Sequence, residues 1–394
     1  MQTTKKKVVK NNFKISELKA SNRVDLPLLI VILILVALGL VMILSASSPS
    51  ALAETGDDSY FYFNKQAIAT VLGFIGMFFL SKINYDIYKK FYKIIYIISV
   101  LILFTVLIPK IGVESSGARR WINLGMQIQP SEITKIGLII WVAGYYSDPK
   151  NKIQGFWGSF LKPIVAVLIP IAILYFVQNH LSAGIIIALV TAVMIIMSGC
   201  QLRYIAYALG AGVAGILAMI PLIQSKLAGE GGGSFRSDRI EAWLDPWKNP
   251  VGTSYQTIQG LYAIGSGGLF GVGLGESKQK YLYIPEAHND FIFAIIAEEL
   301  GFIGCTVVLG LFAVLIVRGI VIAIRAKDTF GSLIAIGITA LIATQVILNI
   351  AVVTNSIPNT GISLPFLSYG GSSIVILLGA MGVLLNISRS AKKI

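Results

Sequence analysis

Apolar residues fall in ten long runs separated by short polar stretches, at about 27–46, 65–81, 94–109, 132–147, 160–177, 183–199, 204–223, 290–317, 330–352 and 370–387. A bilayer-spanning helix needs ~20 mostly apolar residues. The pattern therefore predicts an all-α polytopic membrane protein with about ten transmembrane helices. One connection stands apart: 224–289, about 66 residues between the seventh and eighth runs, holding Trp243, Pro246, Trp247, Pro250 and a glycine-rich run. A connection of that length is expected to be structured, as a functional loop or as a lid over the bundle. There is no internal repeat and no clear pair of broken helices in corresponding halves.

Composition agrees. Of 394 residues, 55% are apolar and 13% charged, against ~25% charged in soluble domains. Cys200 and Cys305 lie in or beside apolar runs, which excludes a disulfide framework. With His180 and His288 the only histidines, no Cys/His zinc cluster is available.

The net charge of +13 would suggest nucleic acid in a soluble protein. Its placement gives another meaning. With ten spans, 21 Lys and Arg fall on the side of the two termini, 10 fall on the other, and Lys135 lies inside a span. That bias predicts both termini in the cytoplasm. Residues 1–26 and 389–394 are then basic cytoplasmic tails, 27–388 form one membrane domain, and 224–289 is extracellular. The basic excess is a topology feature and predicts no nucleic-acid partner. Ala51-Leu52-Ala53 resembles a signal-peptide cleavage site. The apolar run before it is ~18 residues, longer than the ~7–15 of a signal peptide, and reads as a retained anchor.

Three outer clusters carry candidate chemistry. The first comprises Gly117–Ile122, with Arg119, Arg120 and Trp121, and Gln129–Lys135, with Glu132 and Lys135. Ser131 is a plausible helix cap beside Pro130. Lys135 opposes the helix dipole, so it needs either Glu132 three residues earlier or an external anion such as a diphosphate.

The second cluster is Lys278-Gln279-Lys280 and Pro285-Glu286-Ala287-His288-Asn289-Asp290, followed by Glu298-Glu299. Ionisable residues that deep in an apolar run are functional by default. Asp290, at the water boundary, is assigned to chemistry or, alternatively, to capping the eighth span. Glu298 and Glu299 are assigned to buried pairing. The third cluster is Pro365–Ser373, where the hydroxyls of Ser368, Tyr369 and Ser372 could bind sugar, or Ser372 or Ser373 could cap the last helix. The run Gly265–Gly275 lacks a nucleotide-binding register and reads as close backbone packing or a hinge.

These clusters, in this order, resemble the SEDS proteins, the bacterial FtsW/RodA/SpoVE group of polytopic peptidoglycan glycosyltransferases. The resemblance runs from about residue 25 to 388 and rests on Gly117–Ile122, Gln129–Lys135, Tyr255–Gly275, Pro285–Gly304 and Leu364–Ser373. Leu244–Trp247 and Gly275–Lys280 look like the division and sporulation branch. Asn289 stands where the family usually has Thr, and Gln178–Gly184 departs from its usual Gln-Pro-Asp-x-Gly-Thr.

The resemblance implies a multi-pass protein of the bacterial cytoplasmic membrane that polymerises lipid II at the outer leaflet and releases undecaprenyl diphosphate. It implies a catalytic aspartate at Asp290 and pairing with a class B penicillin-binding transpeptidase, among other divisome or sporulation membrane proteins. The substrate-binding set expected with Asp290 is Arg119, Arg120, Trp121, Glu132, Lys135, Lys280, Glu286, His288, Ser368, Tyr369 and Ser372, with Arg236 and Arg239 as weaker cations. A divalent ion, Mg or Mn, could assist the diphosphate, with its ligands unknown. The alternatives are a lipid-precursor flippase and a non-catalytic scaffold for the transpeptidase.

Overall fold

The computed structural model describes residues 24–391 apart from 110, 116–117, 124, 126, 152, 154, 202, 205, 208–234, 249 and 251. The apolar runs become helices: α1 (Leu26–Thr55), α2 (Phe61–Leu80), α3 (Asp86–Leu101, continued by a 3-10 turn to Leu107), α4 (Pro130–Ser147), α5 (Lys162–Phe176) and α6 (Leu181–Met197). After these come α7 (Phe235–Leu244), α8 (Thr253–Ser266), α9 (Ile292–Arg325), α10 (Thr329–Val353) and α11 (Gly371–Arg389). Among the described residues, seven stretches are long and apolar enough to cross a membrane: α1, α2, α3 with its extension, α5 with the π-turn before it, α9, α10 and α11. The fourth and sixth predicted runs appear as the shorter α4 and α6. Most of the seventh, 204–223, lies outside the described residues.

Local chemistry sets the helix ends. Asp25 caps α1, its side chain accepting from Leu28 N at 3.0 Å, and Asp328 caps α10 through Gly331 N. Both give orphan first-turn N–H groups a partner. On α2, Ile68, Val71, Leu72, Ile75, Phe78 and Phe79 are exposed along one stripe, as on a helix facing lipid.

The bundle has two distinct ends. At one, Arg318 pairs with Asp25, Asp25 N donates to Ser388 Oγ, and Tyr85 bonds Asp328 through its hydroxyl and Asn386 through its N–H. This joins the start of α1, the α2–α3 and α9–α10 turns and the end of α11. Arg318, expected in a connection, lies inside α9, which runs eight residues beyond the predicted boundary of 317. The intervening connections, with Glu54, Arg120, Asn179, Asp290 and Tyr369, gather at the opposite end.

The all-α expectation needs one correction. Gly112–Ser115 (β1), Ala118–Asn123 (β2) and Gln127–Ile128 (β3) form a small antiparallel sheet in the order β1-β2-β3. The first cluster therefore sits on a strand. Arg119 and Arg120 leave its two faces in opposite directions, as successive strand residues must. A second correction concerns α4. Its cap is Gln129, because Pro130 occupies the first helical position, where its missing N–H costs nothing. Ser131 caps nothing; its Oγ is buried without a partner.

Helix α9 is broken at Gly301 (φ 65°, ψ −168°). The glycine-rich run lies against the break. Val272 N and Gly273 N donate to the carbonyls of Glu298 and Glu299, at 2.9 and 3.1 Å. Phe302 N and Ile303 N donate to Gly268 O and Leu269 O, at 2.9 and 3.1 Å. Backbone groups freed by a break in an apolar setting must find partners, and here the loop supplies them. A Cβ on Gly267 would stand 1.9 Å from Ala297 O, and one on Gly271 (φ 81°) would stand 2.1 Å from Glu299 O. The run is close backbone packing around a helix break.

Beneath this splice lies a buried charge cluster. Lys280 Nζ reaches Glu299 Oε1 at 3.1 Å, Gly275 O at 2.5 Å and Ser45 Oγ at 3.0 Å. Ser45 Oγ also donates to both Glu299 oxygens. Glu298 accepts from Ser277 Oγ at 2.5 Å and from Lys278 N at 3.0 Å. The pairing expected of Glu298 and Glu299 is present. Its cation is Lys280, with a side chain 5% exposed, so Lys280 is spent inside the fold and cannot serve a diphosphate.

Candidate active site

Asp290 lies in the turn before α9. Phe291 is the cap position and no side chain caps the helix, so Asp290 is not a capping residue. Asn349 of α10 fixes this turn, its Nδ2 donating to Asp290 O at 2.8 Å and to Ile362 O at 2.7 Å. The carboxylate rests against Gly361, where an added Cβ would be 3.7 Å from Oδ2. Burial pushes its pKa up to about 6, with Glu286 adding to the rise; its own backbone N–H and Arg239 oppose it. Such a carboxylate is mainly ionised at neutral pH yet basic enough to take a proton.

The cations come from separate elements. Arg239, on α7, donates from Nη1 to Asn359 O at 2.9 Å. Trp243 clips the same helix down, Nε1 to Asn355 O at 3.1 Å. Arg120, on β2, donates from Nη2 to Asn179 O at 2.8 Å and from Nε to Gln178 O at 3.4 Å. Burial lowers the pKa of Arg120 and its neighbour Arg239 lowers it further. Two guanidiniums thus repel each other, one of them, Arg239, acting on the Asp290 carboxylate, a field suited to an anionic group. His180, in the turn that Arg120 holds, is kept neutral. Burial, then Arg120 and Lys135, depress its pKa to about 3.

An aromatic cluster flanks Asp290. Tyr62, His288 and Tyr369 have ring centroids 4.4, 5.1 and 5.5 Å apart. Tyr369 N donates to His288 O at 2.9 Å, tying the last-helix loop to the Asp290 turn. Burial lowers His288 to about 4, so its ring is neutral at pH 7. Tyr62 OH donates to Glu54 Oε2 at 2.5 Å, and Gly370 N to Gln66 Oε1 at 3.0 Å. Asn179, Glu286 and Phe366 hold positive φ around this region. Such strain collects where a loop is over-determined by its surroundings.

The other expected site residues divide. Glu286 is exposed and accepts from Asn289 Nδ2 at 2.7 Å. Arg119 is exposed and pairs with Glu114. Trp121 is half-buried on β2. Lys135 pairs with Glu132 at 2.7 Å with its side chain 3% exposed, so the two cancel and neither offers a free charge. Ser372 does not cap its own helix; its buried Oγ accepts from Gln129 N at 3.2 Å, fastening α11 to the start of α4. Ser368 Oγ accepts from Leu364 N and closes a local turn. These two hydroxyls are structural.

Solved relatives share this architecture. The family model described as cell cycle protein, spanning FtsW, RodA and SpoVE, matches residues 26–393. The chain belongs to the FtsW/RodA/SpoVE family. Stage V sporulation protein E of Bacillus subtilis is 42% identical over 85% of this chain and 89% of its own length. The probable peptidoglycan glycosyltransferase FtsW of Trichlorobacter lovleyi is 40% identical over 93% and 94%. A solved chain described under structural coordination of polymerization and crosslinking by a peptidoglycan synthase complex superposes with a TM-score of 0.73 at 27% identity, covering 93% and 98% of the two chains. The rod shape determining protein RodA of Thermus thermophilus gives 0.67 at 26% identity, covering 94% and 98%.

As an FtsW/RodA/SpoVE protein with seven long apolar stretches among the described residues, the chain is a multi-pass protein of the cytoplasmic membrane. Within this family member, no three His, Cys, Asp or Glu converge among the described residues. Sequence reasoning missed Glu54, Tyr62, Asn349 and the Asn359–Gly361 turn. The aromatic run Tyr60–Phe63 and the Asn/Gly-rich, uncharged loop after α10 were the available signs. Arg236, the other weak cation, has a side chain outside the described set.

Proposed function

We propose that the chain is a peptidoglycan glycosyltransferase that polymerises lipid II into glycan strands at the outer face of the membrane, in cell division or sporulation, with Asp290 as general base. The observation that carries this reading is the Asp290 carboxylate, raised to about 6 by burial and held beside Arg239 at one end of the bundle. The acceptor 4-hydroxyl gives its proton to an Asp290 oxygen as its own oxygen bonds C1 of the donor sugar. The bond from C1 to the diphosphate oxygen breaks, and undecaprenyl diphosphate leaves with the electron pair. Arg239 and Arg120 stabilise that developing charge through preorganised donors. Arg119, which leaves the opposite face of the strand and pairs with Glu114, is not among them. Tyr62, His288 and Tyr369 give the sugars an apolar, neutral wall.

The Lys/Arg bias supports a topology with both termini in the cytoplasm. The two-ended arrangement of connections is consistent with that topology. A class B penicillin-binding transpeptidase is the proposed partner, supported by the solved relative that belongs to a synthase complex joining polymerization to crosslinking. Purified protein reconstituted with such a partner and given lipid II is expected to yield glycan polymer. Lipid II crossing the vesicle without polymer would establish the flippase reading instead. A preparation that does neither while still binding its transpeptidase would mark a scaffold.

A further inference from the structure

At the end of the bundle away from Asp290, α3 opens with an unusual load of positive charge. Lys89, Lys90 and Lys93 fall in its first two turns, with Asp86 the acidic residue of the first turn. Lys89/Lys93 and Lys90/Lys93 are like-charge pairs at i,i+4 and i,i+3. The same three lysines, with Lys150 from the α4–α5 connection, line an open cavity of about 410 Å³. Its one lining carboxylate, Asp148, is already engaged by Lys150 N at 3.0 Å and Tyr92 OH at 3.2 Å. None of the four ammonium groups is in an ion pair among the described residues. Four cations therefore face one committed anion.

The cavity is also amphipathic. Phe91 and Ile94 form part of its wall. From Ile94 an apolar row continues along α3 through Ile97, Ile98 and Leu101, all more than half exposed. We propose that this cavity is a binding site for an anionic phospholipid of the adjoining leaflet, its phosphate held by Lys89, Lys90, Lys93 and Lys150 and its acyl chain lying along Ile94–Leu101. Basic pockets at the cytoplasmic boundary between spanning helices suit such headgroups. Four lysines match a two-phosphate headgroup better than a single phosphate. Binding relieves the repulsion at the start of α3. It also braces the α3–α4 pair, which packs so closely that a Cβ on Gly144 would lie 2.4 Å from the Tyr92 ring.

The test uses the full chain in neutral detergent, with bound lipid counted by native mass spectrometry and thermal unfolding followed in parallel. The probes are cardiolipin, phosphatidylglycerol, phosphatidylcholine and inorganic phosphate. The wild type is expected to retain cardiolipin at least about tenfold better than phosphatidylcholine, and to unfold at higher temperature with it. Lys89→Gln/Lys93→Gln/Lys150→Gln is expected to lose that preference. Lys82→Gln/Arg325→Gln/Lys327→Gln, which removes equal charge from the same end away from the cavity, is expected to keep it. Equal retention by the cavity variant, or equal loss in the control, would overturn the site. Stabilisation by inorganic phosphate alone to the same degree would overturn a lipid occupant.

Discussion

Replacing Asp290 by Asn is expected to stop glycan polymerisation while leaving the protein folded and associated with its transpeptidase. Asn keeps the shape of the side chain. The contact that shapes the turn, Asn349 Nδ2 to Asp290 O, uses the backbone and survives. What is lost is the proton acceptor, and with it a factor of ~10²–10⁴ if the carboxylate acts only as a positioned base. Lipid II retention should change far less, because Arg120 and Arg239 remain. Stability should hold or rise slightly, since burial opposes the charged form of Asp290. Polymer yield from lipid II, read beside a thermal unfolding curve, checks both halves.

Lys280→Met is expected to fail differently, by loss of folded protein. The ammonium stands between Glu299 Oε1, Ser45 Oγ and Gly275 O, and its removal leaves the buried Glu299 carboxylate without its ion-pair partner. Breaking a buried pair from one side costs about 3–5 kcal/mol. The site of damage is the splice at Gly301, so the glycine run should detach from α9 as well. Adding Glu299→Gln should recover part of the loss, because contacting residues couple in a double-mutant cycle. Monodispersity in detergent and thermal unfolding measure this. A Lys280→Met protein that folds normally but binds lipid II weakly would return Lys280 to the substrate.

The contrast between these two residues indicates what a sequence can disclose. Both looked like outer-face chemistry. Asp290 lies at the mouth of α9, where the start of the apolar run had marked it. Lys280 could not be read, because its partners are 19 and 235 residues away. The spans found among the described residues were legible as apolar runs. The small sheet was not, since strands of two to six residues in a polar segment carry no alternation long enough to read. Arg239 looked weak because α7 is a short polar helix. It gains importance only when that helix docks on the uncharged loop after α10, through Trp243 and Asn355. The break in α9 was hidden inside an unbroken apolar run, although the glycine run that repairs it was visible.

The most direct measurement is the pH dependence of lipid II polymerisation by the wild type, Arg239→Met and Glu286→Gln. A base must be ionised to accept a proton, so the rate should fall as pH drops through about 6 in the wild type. Arg239 holds the Asp290 pKa down and Glu286 holds it up. The acid limb should therefore move to higher pH in Arg239→Met and to lower pH in Glu286→Gln. A profile flat between pH 5 and 8, as roughly spans the titration of a group near 6, or an acid limb unmoved by both substitutions, would contradict Asp290 as the base.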